Sequence, residues 1–117
     1  MGIHTLYNVK KYHTYILANK KNGTLYVGYT DDIRRRILEH KSKINEGFTS
    51  KYDVNKLVYF ETSTNVEDAR LREKKLKKWN RKWKIELIES VNKELKDLSE
   101  EFPDKLTEIN KLDILFR

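Results

Sequence analysis

Asn22-Gly23 is the pair of residues that most constrains how this chain folds. It separates Tyr12–Ala18 (YHTYILA) from Leu25–Tyr29 (LYVGY), and both runs are rich in β-branched and aromatic residues. A two-residue type I′ turn requires positive φ at both central positions, and Asn-Gly adopts these angles at low cost. The sequence therefore predicts an antiparallel β-hairpin made of these two runs.

Gly28 lies inside the second predicted strand, where it adds no side-chain packing and weakens the strand. A glycine in such a position marks either a β-bulge or a place where another group comes close to the backbone. The sequence alone leaves both explanations open.

A helix is predicted directly after the hairpin. Thr30 is the expected cap, Asp31 and Asp32 favour the positive helix end, and the helix runs to about Lys43. Apolar residues recur along it at spacings of four and seven, as one face of a helix requires. They are Ile33, Ile37 and Ile44.

A third strand and further helices complete the predicted fold. The run Thr64-Asn65-Val66-Glu67 matches a capping box, so a second helix should begin there with Thr64 as its cap. The predicted elements are a strand at Lys56–Thr62 and helices to about Trp79, at Lys82–Ser90, near Lys93–Glu101 and near Leu106–Leu115. The expected fold class is α/β. A small three-stranded sheet, formed by the hairpin plus a third strand, is flanked by helices in the order β-β-α-β-α-α, with a C-terminal helical extension.

Composition limits the classes of function. The 117 residues suit one domain, no cysteine is present, and no apolar run approaches the roughly 20 residues of a membrane span. A cytoplasmic protein without membrane association is expected. Residues 1–91 hold 20 Lys and Arg against 11 Asp and Glu, whereas residues 92–117 hold 5 against 7. Such a basic body suits a polyanion, most simply nucleic acid, although a merely soluble surface would have the same charge.

Glu73 is the acidic residue that stands out in the second helix. It falls on the apolar face formed by Val66, Ala69 and Leu76, and it is the one acid in the basic run 70–84. A carboxylate partly removed from water needs a cation, a metal or a hydrogen-bonding partner. An ordinary ion pair with Lys77, Arg70 or Lys74 would meet that need equally well.

Four other polar side chains fall on or beside predicted buried faces. Arg36 and His40 are four apart in the first helix, and Tyr15 and Tyr26 lie on the two hairpin strands. Each has a simple structural explanation: a solvated arginine, a hydrogen-bonded histidine and a cross-strand aromatic pair. A hydroxyl, a guanidinium and a carboxylate on one concave face could instead activate water, balance phosphate charge and hold a divalent metal.

These residues resemble the GIY-YIG endonuclease superfamily. Tyr15-Ile16-Leu17, Tyr26-Val27-Gly28, Arg36 and Glu73 match its motifs in order and spacing. The chain is most similar to the small single-domain bacterial branch related to the N-terminal nuclease domain of the excision-repair incision subunit. LYVGYTDDIRRRILEHK, NKLVYFE and LREKKLKKWNRKWKIELIE carry the resemblance, which covers a nuclease-like domain over residues 11–100 and leaves 101–117 as a helical tail.

The resemblance implies a metal-dependent DNA endonuclease, acting in repair or DNA processing. Water is deprotonated with help from Tyr26, Tyr15 or His40, among which the sequence does not choose. Arg36 stabilises charge on the phosphoryl oxygens, and Glu73 holds Mg²⁺ or Mn²⁺. In larger relatives an Asn follows the Glu, and here Asn80 is the possible substitute.

DNA is the expected partner, and a monomer is the favoured state. Basic residues in and after the second helix are expected to contact phosphates. They are Lys74, Lys75, Lys77, Lys78, Arg81, Lys82 and Lys84. Two alternatives to the enzyme remain: a nucleic-acid-binding module that keeps the scaffold without efficient turnover, and a protein-interaction domain that uses the tail.

Overall fold

The computed structural model describes residues 10–19, 23–42 and 54–102. The elements are β1 (Tyr12–Ala18), β2 (Leu25–Thr30), α1 (Ile33–Ser42), β3 (Lys56–Ser63), α2 (Val66–Lys78), α3 (Arg81–Val91) and a 3₁₀ turn (Leu98–Glu101). Their order and the three-stranded sheet confirm the predicted α/β class. The predicted helix near Leu106–Leu115 lies outside the described residues, as do Ile44 and Asn22.

The sheet is antiparallel, with β1 in the centre and strand order β2-β1-β3. Tyr15 on β1 is therefore paired with Gly28 on one side and with Phe60 on the other. The predicted hairpin is confirmed by the β1–β2 ladder. Next to the turn, the backbone N–H of Thr24 donates to Oδ1 of Asn19 at 2.9 Å.

A β-bulge lies in β3. Ile16 pairs with Tyr59 while the next residue of β1, Leu17, pairs with Leu57, so Val58 is an extra residue in the ladder. A bulge breaks the strict alternation of side chains. Val58 and Tyr59 consequently both pack on the same face of the sheet.

Hydrophobic clusters cover both faces of the sheet, because successive side chains of β1 point to opposite sides. One cluster, under α1, joins Tyr15, Leu17, Ile33, Ile37, Val54 and Leu57. The other, under α2 and α3, joins Ile16, Ala18, Val27, Val58, Tyr59, Leu76, Ile88 and Leu95. The β1 strand is therefore buried on both faces, which fixes the position of Tyr15.

The predicted cap of α1 was wrong by two residues. Asp32, not Thr30, accepts from the backbone N–H of Arg35 at 3.1 Å and so caps the helix. Thr30 remains in β2, and its Oγ1 accepts from the backbone N–H of Asp32 at 3.0 Å. The threonine thus closes the tight connection from strand to helix.

The predicted capping box at the start of α2 was also wrong. Asn65, not Thr64, is the cap, and its Oδ1 accepts from the backbone N–H groups of Glu67 at 2.8 Å and Asp68 at 3.3 Å. The strand continues through Ser63, which leaves Asn65 as the residue that turns into the helix. Val66, expected on the apolar face, is 43% exposed because it precedes the turn that meets the sheet.

The predicted helix at Lys93–Glu101 is replaced by a turn and the short 3₁₀ segment. The buried Asn92 ends α3, and its amide donates to the backbone oxygens of Val58 at 3.0 Å and Lys96 at 2.8 Å. Leu95 then adopts a positive φ of 52°, which a helix does not permit. Leu95 and Leu98 are anchored in different clusters, so their apolar spacing does not reflect one helix face.

Across residues 10–19, 23–42 and 54–102, no helix has the length and apolar character needed to cross a membrane.

Candidate active site

Gly28 makes room for the ring of Tyr15. A Cβ added at Gly28 would lie 2.6 Å from the Tyr15 hydroxyl oxygen, 2.7 Å from Cζ and 3.1 Å from a ring carbon of Tyr26. The close approach is therefore the correct explanation for this glycine, and the bulge lies in β3 instead. The glycine allows the buried tyrosine to lie flat over the neighbouring strand.

Tyr15, Tyr26 and His40 form one polar aromatic group on the α1 face of the sheet. The ring centroids are 6.4 Å apart for the two tyrosines, 6.1 Å for Tyr15 and His40, and 5.7 Å for Tyr26 and His40. The Tyr15 hydroxyl lies 3.4 Å from Nε2 of His40. Tyr15 is only 1% exposed, whereas Tyr26 is half-buried. Tyr26 is thus the tyrosine of this pair that faces water more openly.

His40 is a neutral base at neutral pH. Burial, together with the positive charge of Arg36, lowers the pKa of His40 to about 4, although Glu39 opposes the shift. Burial raises the pKa of the Tyr15 hydroxyl, while the neighbouring Arg36 opposes that rise and Glu73 adds to it. Because the histidine is neutral and the tyrosine protonated, a ring nitrogen of His40 can accept a hydrogen bond from the hydroxyl.

Arg36 belongs to this group, in contrast to the exposed Arg35. Its Nη1 lies 3.0 Å from Oε1 of Glu39, and its side chain is 28% exposed. Burial disfavours its charge, but Tyr15, Glu39 and Tyr26 outweigh that cost and raise the pKa of Arg36. A guanidinium held permanently positive beside two hydroxyls can stabilise an anion there.

Glu73 comes from α2, which covers the opposite face of the sheet. Its side chain is 17% exposed, and Oε2 lies 3.4 Å from Nζ of Lys77 one turn later. The expected ion pair is therefore present, and so is the expected partial burial. Glu73 acts on the tyrosine group electrostatically, since its negative charge adds to the rise in the pKa of Tyr15.

The chemistry of the donor set fits a weakly held Mg²⁺ or Mn²⁺. Within the described part of the chain, no three His, Asp or Glu side chains form a group able to hold a metal. Mg²⁺ commonly keeps several waters and takes one or two carboxylates plus substrate phosphates. A half-buried Glu73 satisfies that modest demand, whereas a tightly bound structural metal would need more ligands.

The basic residues around the α2–α3 junction are mostly solvent-facing. Six of the seven predicted phosphate contacts are exposed, and they are Lys74, Lys75, Lys77, Lys78, Arg81 and Lys82. Lys84 is half-buried, and burial together with Arg81 lowers its pKa. Asn80, the possible substitute for the late Asn of larger relatives, caps α3 through its Oδ1, which accepts from the backbone N–H of Trp83 at 2.9 Å.

Two supporting residues were missed by the sequence reasoning. Glu39 holds the guanidinium of Arg36, and its i, i+3 spacing was visible in the sequence. Thr14 donates from Oγ1 to the backbone oxygen of Ala69 at 2.9 Å and fixes α2 against β1, one turn before Glu73. Nothing in the sequence distinguishes Thr14 from other strand threonines.

His13 lies on β1, two residues before Tyr15. It is 7% exposed and packs against Phe60 and Phe102, with ring centroids 6.2 and 5.2 Å away. Its Nδ1 has no hydrogen-bond partner among the described residues. Burial, with the charge of Lys11, lowers its pKa. His13 thus belongs to the core of this face rather than to the polar group.

Two tyrosines, an arginine and a histidine thus meet on one sheet face of a small α/β domain. A family model described as the GIY-YIG catalytic domain matches residues 11–86. The chain belongs to the GIY-YIG family, whose activity is that of a nuclease acting on nucleic acid.

Similar proteins align with most of the chain. A UPF0213 protein of Clostridium perfringens is 37% identical over 78 residues, which cover 67% of this chain and 83% of the relative. A UPF0213 protein of Bacillus pumilus is 31% identical over 97 residues, covering 83% of this chain and 98% of the relative. The solution NMR structure of a UPF0213 protein from Bacillus halodurans is 30% identical, covering 70% of this chain and 86% of that chain, with a TM-score of 0.46.

Proposed function

We propose that the protein is a divalent-metal-dependent DNA endonuclease that hydrolyses phosphodiester bonds in DNA repair or processing. The observation that carries the proposal is the single group formed by Tyr15, Tyr26, His40 and Arg36, all on one face of the sheet. Membership of a nuclease family supports the reaction class, and the basic α2–α3 junction supports a nucleic-acid substrate.

The roles follow from exposure and charge. Tyr26, half-buried, is the group placed to orient and help deprotonate the attacking water, and its ring lies 5.7 Å from that of the neutral His40. Tyr15 is buried, so it acts by positioning the group rather than by meeting substrate. Arg36 stabilises negative charge on the phosphoryl oxygens.

Glu73 is the residue that would hold the metal. A bound Mg²⁺ or Mn²⁺ supplies charge neutralisation at the phosphate and the leaving oxygen. The protein itself contributes one partly buried carboxylate, and Lys77 balances its charge before DNA and metal arrive.

Glu73→Gln tests this role, because it keeps the size and helix propensity of the side chain and removes its charge. Cleavage of duplex, nicked, flapped and single-stranded DNA would be measured in Mg²⁺, in Mn²⁺ and in EDTA. We expect cleavage to fall by roughly 10²-fold or more, since a catalytic metal stabilises the transition state by several kcal/mol. The variant should stay folded and bind DNA in EDTA as tightly as wild type.

Glu67→Gln is the matched control. Glu67 lies on the same helix, is exposed, and pairs with Arg70 at 2.8 Å, so its loss removes the same charge away from the site. Cleavage should be unchanged in this variant. Full activity in Glu73→Gln together with a lowered melting temperature would make Glu73 a structural ion-pair partner and contradict the metal assignment.

The alternative is a nucleic-acid-binding module with the same scaffold and no efficient turnover. The complete burial of Tyr15 and the pairing of Glu73 with Lys77 favour it, because both groups are already satisfied inside the protein. Wild-type protein that binds DNA but leaves every DNA of the panel intact in both metals would establish this alternative.

A further inference from the structure

Trp83 exposes an aromatic surface that the proposed catalytic group does not use. It lies in the first turn of α3 and is 53% exposed, whereas Trp79 is half-buried against the cluster under α2 and α3. The two rings meet edge to face, with centroids 5.9 Å apart and planes at 90°. Tryptophan combines a large apolar ring with a polar N–H, and it is enriched at binding interfaces for that reason.

Trp79 and Trp83 are each held in place by a neighbouring residue. The backbone N–H of Trp83 donates to Asn80, which fixes the start of α3. The guanidinium of Arg72 lies 5.3 Å from the centre of the Trp79 ring, and Arg72 is itself held by Glu61 through Nε at 3.0 Å from both carboxylate oxygens. The exposed ring therefore rests on a preorganised support.

The surroundings of Trp83 are open, and cations flank the two tryptophans in the sequence. A shallow depression of about 430 Å³ is lined by Trp79, Trp83, Glu86, Leu87 and Ser90. Exposed cations stand beside it in the sequence, namely Lys78, Arg81 and Lys82. Glu86 is the charged residue of the lining and would repel a phosphate placed over the depression itself, so a neutral flat group suits the ring surface and any phosphates would have to lie toward the flanking cations.

We propose that Trp83 stacks an unpaired nucleobase of single-stranded DNA while Lys78, Arg81 and Lys82 contact the adjacent phosphates. Every nucleobase presents a flat π face, so an aromatic platform beside cations binds single strands without reading sequence. Paired bases in a duplex hide these faces. The proposal rests on the proposed nuclease function and narrows its substrate to DNA that contains a single-stranded segment.

Tryptophan fluorescence and binding of the full chain in EDTA test this stacking. The probes are a short thymidine strand, an abasic strand of equal length and charge, and a duplex. Stacking on one base contributes about 5- to 100-fold in affinity. Wild type should therefore prefer the thymidine strand over the abasic strand by that factor, and its fluorescence should be quenched by the thymidine strand alone.

Trp83→Leu keeps an apolar side chain and removes the aromatic face. It should lose the preference for the thymidine strand and keep its affinity for the abasic strand and the duplex, and Trp83→Phe should keep part of the preference. Val91→Ala, at the other end of α3 where the valine is 70% exposed, should behave as wild type. Thermal unfolding of each variant checks that it is folded.

Two outcomes would overturn the stacking assignment. They are equal binding of thymidine and abasic strands by wild type, and an unchanged preference for the thymidine strand in Trp83→Leu. Cleavage in metal separates this failure from failure of the nuclease proposal. Cleavage of duplex DNA without a preference for binding the thymidine strand would contradict the stacking proposal alone. A preference for the thymidine strand without cleavage of any DNA would contradict the nuclease proposal alone.

Discussion

At the scale of single residues, Tyr15 and Tyr26 differ in burial, so removing their hydroxyl groups should have different effects on stability and cleavage. Tyr15→Phe and Tyr26→Phe each remove one hydroxyl and keep the ring. We expect Tyr26→Phe to lower cleavage by roughly 10²–10⁴-fold, as expected for an acid–base residue, with little change in stability.

Tyr15→Phe should lower stability as well as cleavage. The lost hydroxyl lies 3.4 Å from Nε2 of His40, and removing a buried hydrogen bond costs about 0.5–1.5 kcal/mol. Cleavage rates and urea unfolding of both variants provide the comparison. Normal cleavage in both single variants and in the double variant would contradict a catalytic role for the pair.

Gly28 should tolerate no side chain without movement of Tyr15. Gly28→Ala places a methyl group 2.6 Å from the Tyr15 hydroxyl oxygen and 2.7 Å from Cζ, well inside contact distance. Since the buried ring has little space to move, we expect a loss of about 1–3 kcal/mol in the free energy of unfolding, typical of overpacking. Cleavage should fall too, because the hydroxyl is displaced.

Denaturant unfolding and cleavage of Gly28→Ala check this expectation, with Gly28→Ala/Tyr15→Phe as the companion. Removing the hydroxyl from the double variant relieves the closest contact, so it should be less destabilised than the two single changes added together. Strict additivity would show that the methyl group does not act through Tyr15.

At the scale of elements, α1 is held to the sheet partly through a histidine that must stay neutral. The folded-state pKa of His40 is about 4, below the ordinary value of 6.5, because of burial and Arg36. Above pH 6.5 the group is neutral in both the folded and unfolded states. As the pH falls from 6.5 toward 4, the unfolded chain takes up the proton first, so stability decreases.

The pH dependence of the melting temperature tests that effect. Between pH 7 and pH 5 wild type should lose more stability than His40→Gln, whose amide keeps a polar group beside Tyr15 but does not titrate in this range. His13 also has a lowered pKa and is unchanged in both proteins, so it cancels in the comparison. Equal losses in wild type and His40→Gln would contradict a neutral, buried His40.

The three strands and the helices α1 to α3 were readable from the sequence, but the residues that cap α1 and α2 were not. Strand-forming runs, Asn-Gly and helical periodicity are local signals, and they identified all three strands and α1 to α3. The caps were misassigned because Thr30 and Asp32, or Thr64 and Asn65, have similar intrinsic preference, and the length of the preceding strand decides between them.

Structure that depends on contacts between residues far apart in the sequence could not be predicted from local sequence patterns. The failed helix at Lys93–Glu101 depends on Asn92 reaching the backbone of Val58 in β3, 34 residues away. Likewise, the motif residues were found by resemblance. The difference in burial between Tyr15 and Tyr26 and the partial burial of Glu73 beside Lys77 could be seen only in the structure. Neither property leaves a periodic pattern.

At the scale of the whole molecule, the charge distribution predicts strongly salt-dependent binding. Exposed cations gather at the α2–α3 junction, while residues 92–117 carry more acidic than basic residues. Each duplex phosphate neutralised should contribute about −0.9 to the slope of log affinity against log salt. A slope near zero for every nucleic acid would contradict the nucleic-acid proposal.

Substitutions that each remove one positive charge test which part of the surface contacts the phosphates. Lys78→Ala should reduce the slope by about 1 if this side chain contacts a phosphate. Lys96→Ala is the control, because Lys96 is equally exposed but lies outside the basic run and pairs with Glu94 at 3.5 Å. Equal effects of the two variants, measured by salt titration of duplex binding, would show that the charge acts through the net field rather than at the junction.

Tyr15 is at once a member of the hydrophobic cluster under α1 and the buried hydroxyl of the polar group. Substitution of Tyr15 should therefore destabilise the fold even in relatives that no longer need the activity. Glu73 and Tyr26 lie nearer the solvent and can change at little cost to the core. Relatives that bind DNA but have lost catalytic activity should thus keep the buried tyrosine and differ first at Glu73 or Tyr26. These two positions should distinguish active from inactive relatives.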